Sequence, residues 1–367
     1  MIPQAIPAVQ QIKKAPRQNE SILYKIIATE AGKGVAKFVT EQVDLDKRGV
    51  VLLSALGKHA SIGTLEGRTR TFIDLETFNS QPQDLNVFFR SVNDQLPDAG
   101  IYIGCLESNS VRKERIFRKF PKQLAHLLWA YDFIVNRVLP KLSYTKGLYH
   151  FLFPKKKHVL SKAEALGRLT YAGFAIIGHE LINNRFYFSV IKVNVPKFEH
   201  KPSGGLLFKM PRISKGGEII GVYKVRTMHP YSEYLQDYVV KMNGYNLVGK
   251  PNKDFRLTRW GKVIRKLHLD ELPQVLNILK GDLKIVGVRP ISKFGFDSLP
   301  ADLQRERIKY KTGCIPPNVS LGMTGFDGVV KAERIYLSEL KKHGSIINIK
   351  YFWMAMFNII LRKEESA

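Results

Sequence analysis

Leu269–Leu283 reads LDELPQVLNILKGDL. Leu272, Val275, Leu276 and Leu279 fall at i, i+3, i+4 and i+7, which predicts a helix with one buried apolar face. Pro273 suits the first turn, where its missing N–H costs nothing, and Gly281 suits the stop. Asp270 and Glu271 then stand at the N-terminal end of that helix. Two readings are open. Acidic residues there can simply cap the helix and complement its dipole, each contributing up to about 1 kcal/mol. Alternatively, one carboxylate faces inward as a nucleophile and its neighbour faces a metal, at a helix end suited to docking a phosphate.

The flanks of this segment are cationic. Upstream runs DFRLTRWGKVIRKLHLDE, which brings Arg256, Arg259, Lys262, Arg265 and Lys266 ahead of the carboxylates. Downstream, KIVGVRP (Lys284–Pro290) is an apolar strand that delivers Arg289 at a turn. VYKVRTM (Val222–Met228) is a second strand, alternating so that Lys224 and Arg226 share a face. Between Lys201 and Lys293 there are 18 Lys and Arg against 7 Asp and Glu. Solvated surface would account for most of these cations singly. Cations on three separate segments around one carboxylate pair fit a diphosphate pocket better, because guanidinium groups grip phosphate bidentately and stay charged. Trp260 and Tyr223 read as packing residues, and Tyr231–Tyr238 (YSEYLQDY) as a surface helix.

Further upstream the texture changes. Val50–Leu56, Thr71–Leu75 and Gly100–Leu106 read as short strands, and Asp84–Leu96 has helical spacing at Leu85, Phe88, Phe89, Val92 and Leu96. Strands separated by helices imply a parallel sheet with helices packed on it. Ala163–Lys192 continues as helix, turn, strand (Phe174–Ile177), polar turn and strand (Phe186–Val193). This ending resembles the last strands of class I methyltransferase-like Rossmann domains. A cofactor site of that type needs a Gly-rich turn after its first strand. Only Ser54–Gly57 and Gly63 stand there, so a degenerate Rossmann-like scaffold or docking domain is expected. Pro196–Gly205 (PKFEHKPSGG) reads as a linker. The expected organisation is a flexible N-terminus (1–20), an α/β Rossmann-like domain (21–195), a linker (196–205) and a small mixed α/β domain (206–367).

Composition bounds the partners. A hydrophobic share of 44% in 367 residues supports sizeable cores and excludes global disorder. The net charge of +26 points to anionic partners: nucleic acid, anionic lipid or phosphorylated small molecules. No nucleic-acid module or interleaved aromatic-basic platform is present, so nucleic acid is not expected. Cys105 and Cys314 stand in no metal-ligand spacing and read as reduced thiols of a cytosolic protein. Met1–Asn19 lacks the apolar stretch of a signal peptide, and no apolar run reaches the length of a spanning helix.

Four motifs now make the second half recognisable: Phe208–Arg212 with Gly216–Gly217, YKVRTM (Tyr223–Met228), RLTRWGKVIRKLHLDELPQVLNILKGDLKIVGVRP (Arg256–Pro290), and a looser closing loop, Arg305–Gly313 followed by Pro316 and Pro317. In this order and spacing they resemble the bacterial sugar transferase family, the monotopic polyprenyl-phosphate phosphoglycosyl transferases. The resemblance implies attack by Asp270 on the β-phosphorus of a UDP-sugar, release of UMP, and transfer of the phosphosugar to a polyprenyl (undecaprenyl) phosphate. Glu271 would be the partner of Asp270, both would hold Mg²⁺, and Lys224, Arg226, Arg256, Arg265 and Arg289 would face the phosphates. An alternative is a catalytically inactive relative that binds nucleotide sugar or lipid phosphate as a regulator.

Two departures bear on the membrane and the phosphate loop. Family members enter this domain through a long apolar helix that dips into the bilayer, whereas Ile182–Gly205 reads here as strand and linker. Val288 replaces the proline of the family's GPRP, and His268 stands where small residues are common. A peripheral location on the cytoplasmic side of the inner membrane is therefore expected, reached through an anionic membrane surface or a membrane partner protein. Ile346–Leu361 is either an interfacial helix or a helix docked on the protein's own core. PKKKH (Pro154–His158) is either a lipid-facing cluster or a solvated loop.

Overall fold

The computed structural model describes residues 21–47, 49–53, 69–81, 84–139, 159–196, 205–244 and 251–362. The N-terminal segment, Ser54–Gly57, Gly63, the Pro154–His158 cluster and all but the ends of the expected linker lie outside these. The described residues form two compact units, one within Met1–Pro202 together with Pro230–Leu235, the other within Ser203–His229 and Gln236–Ala367.

The first unit is a five-stranded mixed sheet with helices. Its elements are α1 (Ile22–Glu30), α2 (Lys33–Gln42), β1 (Val50–Leu53), β2 (Thr71–Thr77), α3 (Leu85–Gln95), β3 (Ile101–Leu106), α4 (Asn109–Lys119), α5 (Lys122–Phe133), α6 (Lys162–Tyr171), β4 (Phe174–Ile182) and β5 (Arg185–Lys192). The strand order is β1-β2-β3-β5-β4. β1, β2 and β3 are parallel, and α3 lies in the connection from β2 to β3. β5 is antiparallel to both β3 and β4, so the sheet is parallel only among the strands of its first half. The reason is the connection. Only Asn183 and Asn184, at φ 48° and 57°, separate β4 from β5, and two left-handed residues make a hairpin, not a crossover.

Asp84 caps α3 by accepting from the Asn86 N–H, and Leu85, Phe88, Phe89 and Val92 are buried as their spacing predicts. On α1 and α2, Ile27, Val35 and Val39 pack with Ile73, Leu75 and Ile103 of the sheet. Each such side chain contributes roughly 1.5–3 kcal/mol by leaving water.

Pro230–Leu235 folds with this unit although it lies far along the chain. Tyr231 is buried, its ring lies under the Arg168 guanidinium at 4.3 Å, and its hydroxyl accepts from Asn86 Nδ2 at 2.6 Å. Gly167 makes room, since a Cβ there would meet the Tyr231 carbonyl oxygen at 2.3 Å. Ser232 and Leu235 are buried as well, so the start of the expected surface helix is an internal 3₁₀ turn.

The second unit contains two small two-stranded sheets, β6 (Leu207–Ile213) antiparallel to β7 (Ile219–Val225) and β8 (Lys284–Val286) parallel to β9 (Gly313–Ile315). Between β7 and β8 lie α7 (Gln236–Asn243), α8 (Arg259–Lys266) and α9 (Val275–Leu279). Then follow α10 (Lys293–Asp297), α11 (Ala301–Arg307), α12 (Pro317–Ser320), α13 (Gly325–His343) and α14 (Ile347–Arg362). Val286, Val288, Leu303, Tyr336, Leu337, Ile347 and Tyr351 form its core. α14 therefore docks on its own unit through Ile347, Tyr351 and Ala355, while Ile349, Trp353 and Phe357 remain exposed. Among the described residues, no helix is long and apolar enough to cross a membrane.

Candidate active site

Thr258 starts α8 by accepting the Gly261 N–H at 2.9 Å, and donates its own hydroxyl to the Thr227 carbonyl. Gly261 permits this contact, because a Cβ would meet the Thr227 oxygen at 2.1 Å. Arg265, one turn further on, donates from Nε to Thr227 Oγ1 at 2.8 Å. The helix ends at Leu267, and His268 takes the left-handed conformation (φ 55°) that commonly terminates helices. The chain then turns so that the Asp270 carbonyl accepts from the Val225 N–H at 2.9 Å, at the end of β7.

The helix expected across Leu269–Leu283 is shorter and faces the other way. It consists of a 3₁₀ turn, Leu272–Gln274, followed by α9. Leu272, Val275, Leu276 and Leu279 are exposed, Leu279 by 78%, whereas Gln274 and Asn277 are buried. Asn277 decides the orientation. Its Oδ1 accepts from the Tyr223 N–H, and its Nδ2 donates to the Gly221 carbonyl and to Asp282. β7 is an edge strand, and this side chain satisfies backbone groups that would otherwise be buried unpaired at about 1–3 kcal/mol each.

Asp270 is 4% exposed, and its Oδ1 has no hydrogen-bond partner among the described residues. Glu271 is the N-cap residue of the 3₁₀ turn, yet its side chain makes no cap bond. The simple capping reading therefore lacks its hydrogen bond. Lys224 reaches both carboxylates, donating to Glu271 Oε1 at 2.7 Å and standing 4.0 Å from Asp270 Oδ2. Burial pushes the Asp270 carboxyl up, with Lys224 opposing and Glu271 adding to the rise. Burial also acts to raise Glu271, but Lys224 and then Arg289 outweigh it and hold this carboxyl below its ordinary value. One carboxylate is thus firmly ionised beside a desolvated neighbour.

Of the five expected phosphate-facing cations, Lys224, Arg265 and Arg289 act electrostatically on the pair. Arg226 instead donates to the Gly205 carbonyl and lies over the Phe208 ring. Arg256 is buried in a bidentate bridge to Asp254 and donates to Gln236. Val288, at the position of the family's proline, is buried in the core.

Arg289 is held by residues with no local sequence signal. Its N–H donates to Glu333 Oε1 at 3.3 Å, and its carbonyl accepts from Arg307 Nη2. Arg307 and Glu333 are both buried and pair at 3.4 Å. An ion pair from α11 and α13 thus clamps the Arg289 peptide on both sides. Arg212, on β6, is a further cation that senses Arg289.

The donor set suits a hard divalent cation. Mg²⁺ is commonly held by one or two carboxylates plus substrate phosphates, and Asp270 offers a buried, unpartnered oxygen beside Glu271. Among the described residues no cluster of three or more metal-ligating side chains exists, so the phosphates would have to complete such a site.

A buried Asp270 and a half-buried Glu271, with Lys224, Arg265 and Arg289 acting on them, form an arrangement that suits phosphoryl chemistry. Residues 179–360 match the family model described as bacterial sugar transferase, and this part of the chain is a domain of that phosphoglycosyl (sugar-1-phosphate) transferase family. The match begins inside β4 of the first unit. The chain is 31% identical over 200 residues to a galactosyl transferase, CpsE, of Streptococcus agalactiae, covering 53% of this chain and 42% of that protein. It is 37% identical over 100 residues to a UDP-N-acetylgalactosamine-undecaprenyl-phosphate N-acetylgalactosaminephosphotransferase of Aeromonas hydrophila (27% and 21%). A UDP-glucose:undecaprenyl-phosphate glucose-1-phosphate transferase of Caulobacter vibrioides is 32% identical over 108 residues (29% and 37%). The matches span less than half of each relative's length.

Proposed function

We propose that this chain transfers a sugar 1-phosphate from a UDP-sugar to undecaprenyl phosphate in two displacements at Asp270. The observation that carries the reading is the buried, unpartnered Asp270 Oδ1 with Lys224 and Glu271 beside it. A carboxylate oxygen of Asp270 attacks the β-phosphorus, the bond from that phosphorus to the bridging oxygen breaks, and UMP leaves with the bond's electrons. An oxygen of undecaprenyl phosphate then attacks the aspartyl-phosphosugar, the Asp270 carboxylate leaves, and undecaprenyl-diphospho-sugar departs. Such a reaction depends on positioning and charge neutralisation, and the covalent step divides it into two easier ones.

Lys224 opposes the rise that burial imposes on the Asp270 carboxyl, and Arg265 and Arg289 neutralise phosphate charge. Asp270 and Glu271 would hold Mg²⁺, which supplies further charge neutralisation when bound. For Arg226 and Arg256 the contacts favour a structural role over direct phosphate binding. The second unit carries the reaction, and the first is read as a degenerate Rossmann-like scaffold.

The lipid acceptor places the reaction at the cytoplasmic face of the inner membrane, where the chain would sit peripherally. Exposed Leu272, Val275, Leu276 and Leu279, flanked by Lys262, Lys266 and Lys280, support an interfacial contact, as does the exposed aromatic row of α14.

The test is UMP release from a panel of UDP-sugars with Mg²⁺ and undecaprenyl phosphate in detergent. Wild type should release UMP only with lipid acceptor present beyond one equivalent. Asp270→Asn should lower turnover at least about a thousandfold while keeping the fold. Turnover retained by that variant would sink the assignment of the nucleophile.

A further inference from the structure

The sequence leaves the first unit without an activity, but its sheet carries a built cavity. The pocket has a volume of about 450 Å³ and lies at the carboxyl ends of β2 and β3, beside the β4–β5 turn. That volume is within the usual range for a small-molecule site, and the carboxyl end of a parallel sheet is where open α/β folds bind ligands. Arg115, Arg118, Lys119 and Arg185 line it, against one acid, Glu107.

The floor is fixed in place. Asn79 accepts the Glu107 N–H at 2.7 Å and returns a bond from Nδ2 to the Glu107 carbonyl at 3.0 Å, locking the loop after β3. Arg115 grips Glu107 bidentately at 2.7 and 3.1 Å, which neutralises the acid and orients the guanidinium. Arg185 donates from Nη1 to the Leu75 carbonyl at 3.2 Å, which fixes its side chain. Arg118 and Lys119 stand in the last turn of α4, where cations also complement the helix dipole. The dipole does not explain why Arg185, from the sheet, and Arg115, a turn earlier, converge on the same cavity.

We propose that the first unit binds a small phosphorylated molecule, of nucleotide size and bearing a diphosphate group, in this pocket. Lys119, with the N–H groups that Arg115, Arg118 and Arg185 keep beyond their contacts to Glu107, Glu114 and the Leu75 carbonyl, supplies the donors for a multiply charged phosphate. Every lining residue belongs to the first unit, and the proposal does not depend on the reading of Asp270.

The experiment is calorimetric titration of the full chain with ADP and with inorganic pyrophosphate at physiological salt. A binding phase seen with wild type should persist in Lys224→Ala, whose loss is confined to the transferase site. Arg118→Glu/Lys119→Glu should bind at least tenfold more weakly, with an unchanged circular-dichroism melt. Lys331→Glu/Lys342→Glu, a charge reversal of equal size on exposed positions of α13, should bind as wild type does. Failure of wild type to bind either probe at millimolar concentration overturns the proposal. So does loss in Lys224→Ala alone, which would put the binding at the transferase site, or equal loss in both reversal variants, which would make it a diffuse effect of the +26 charge. Binding that survives the Arg118→Glu/Lys119→Glu change overturns it too.

Discussion

The two units bury different kinds of side chain at their decisive positions. In the first, the residues that the periodicity picks out, Phe88, Phe89 and Val92 on α3 and Ile103 on β3, are the ones inside. In the second, the apolar row of α9 is outside, and Gln274, Asn277 and Asp270 are inside. A sheet of five strands gives its helices an apolar face to cover. A two-stranded hairpin gives α9 an edge with unpaired backbone groups, and an amide side chain answers that better than leucine does. Hydrophobic spacing thus reports a core where a large sheet exists, and reports a surface where the unit is small and built around a polar site.

The largest effect that would sharpen this contrast is at the buried clamp of the second unit. Glu333→Ala leaves Arg307 charged and unpaired in the interior, which should cost about 3–5 kcal/mol of stability. Glu333→Gln keeps an acceptor for the Arg289 N–H and should cost less. Its sharper signature is kinetic: an increased KM for the UDP-sugar, measured well below the variant's melting temperature, would report Arg289 displaced from the phosphates. If Glu333→Ala melts like wild type, the polar interior of this unit does not support its stability.

The first unit also buries polar side chains, Asp74, Asn93 and Glu164 among them. Burial pushes the Asp74 carboxyl from 3.8 up to about 7, with the neighbouring Glu76 adding to it and a bond from the Glu76 N–H opposing. Below about pH 4 native and unfolded chains both hold this proton, and the contribution to stability is full. Between about pH 4 and 7 the unfolded chain releases a proton that the native state keeps, so stability falls by about 1.4 kcal/mol per pH unit, about 4 kcal/mol in all. Asp74→Asn should remove this slope, which chemical denaturation at pH 4.5 and pH 7.5 would reveal. An equal slope in both proteins would show that Asp74 is ionised and solvated.

Asn277→Leu tests the inversion directly. The apolar pattern of Leu272–Leu279 makes leucine look like an improvement at this position. The structure predicts a loss of about 2–4 kcal/mol, because the Tyr223 N–H and the Gly221 carbonyl lose their partner inside the protein. A more stable variant would mean that the helix is buried through its leucine face after all.

Much of both units is legible in the sequence, and the illegible parts have common causes. Strands β1 to β3 and α3 follow from local spacing, and the structure adds the Asp84 cap. Asp270, Glu271 and Lys224 were found because their motifs are contiguous, and they meet in the structure. Arg256 and Arg226 look equivalent to Lys224 in the sequence, because charge alone does not say which cations already have partners. Arg256 turned to Asp254, two residues away, a pairing that the same sequence contained. Glu333 and Arg307 were missed because a clamp made across 18 and 44 residues leaves no periodic trace. Tyr231 was missed for a related reason: its left-handed backbone and its place under Arg168 depend on the distant Gly167 being small.

The smallest expected effect on stability falls on the row that the sequence points to most strongly. Leu276→Ser/Leu279→Ser removes two large apolar side chains, and in a core such a change would cost several kcal/mol. Both are exposed here, Leu279 by 78%, so unfolding in plain buffer should shift by no more than about 0.5 kcal/mol. Co-sedimentation with vesicles containing anionic lipid should respond differently. If the row enters the lipid interface, losing two leucines should weaken binding about tenfold or more, since each contributes apolar area that only the membrane covers. A large loss of stability would return the row to the interior and undo the contrast between the units. Unchanged stability with unchanged vesicle binding would leave the contrast standing and move the membrane contact to the exposed Ile349, Trp353 and Phe357 of α14.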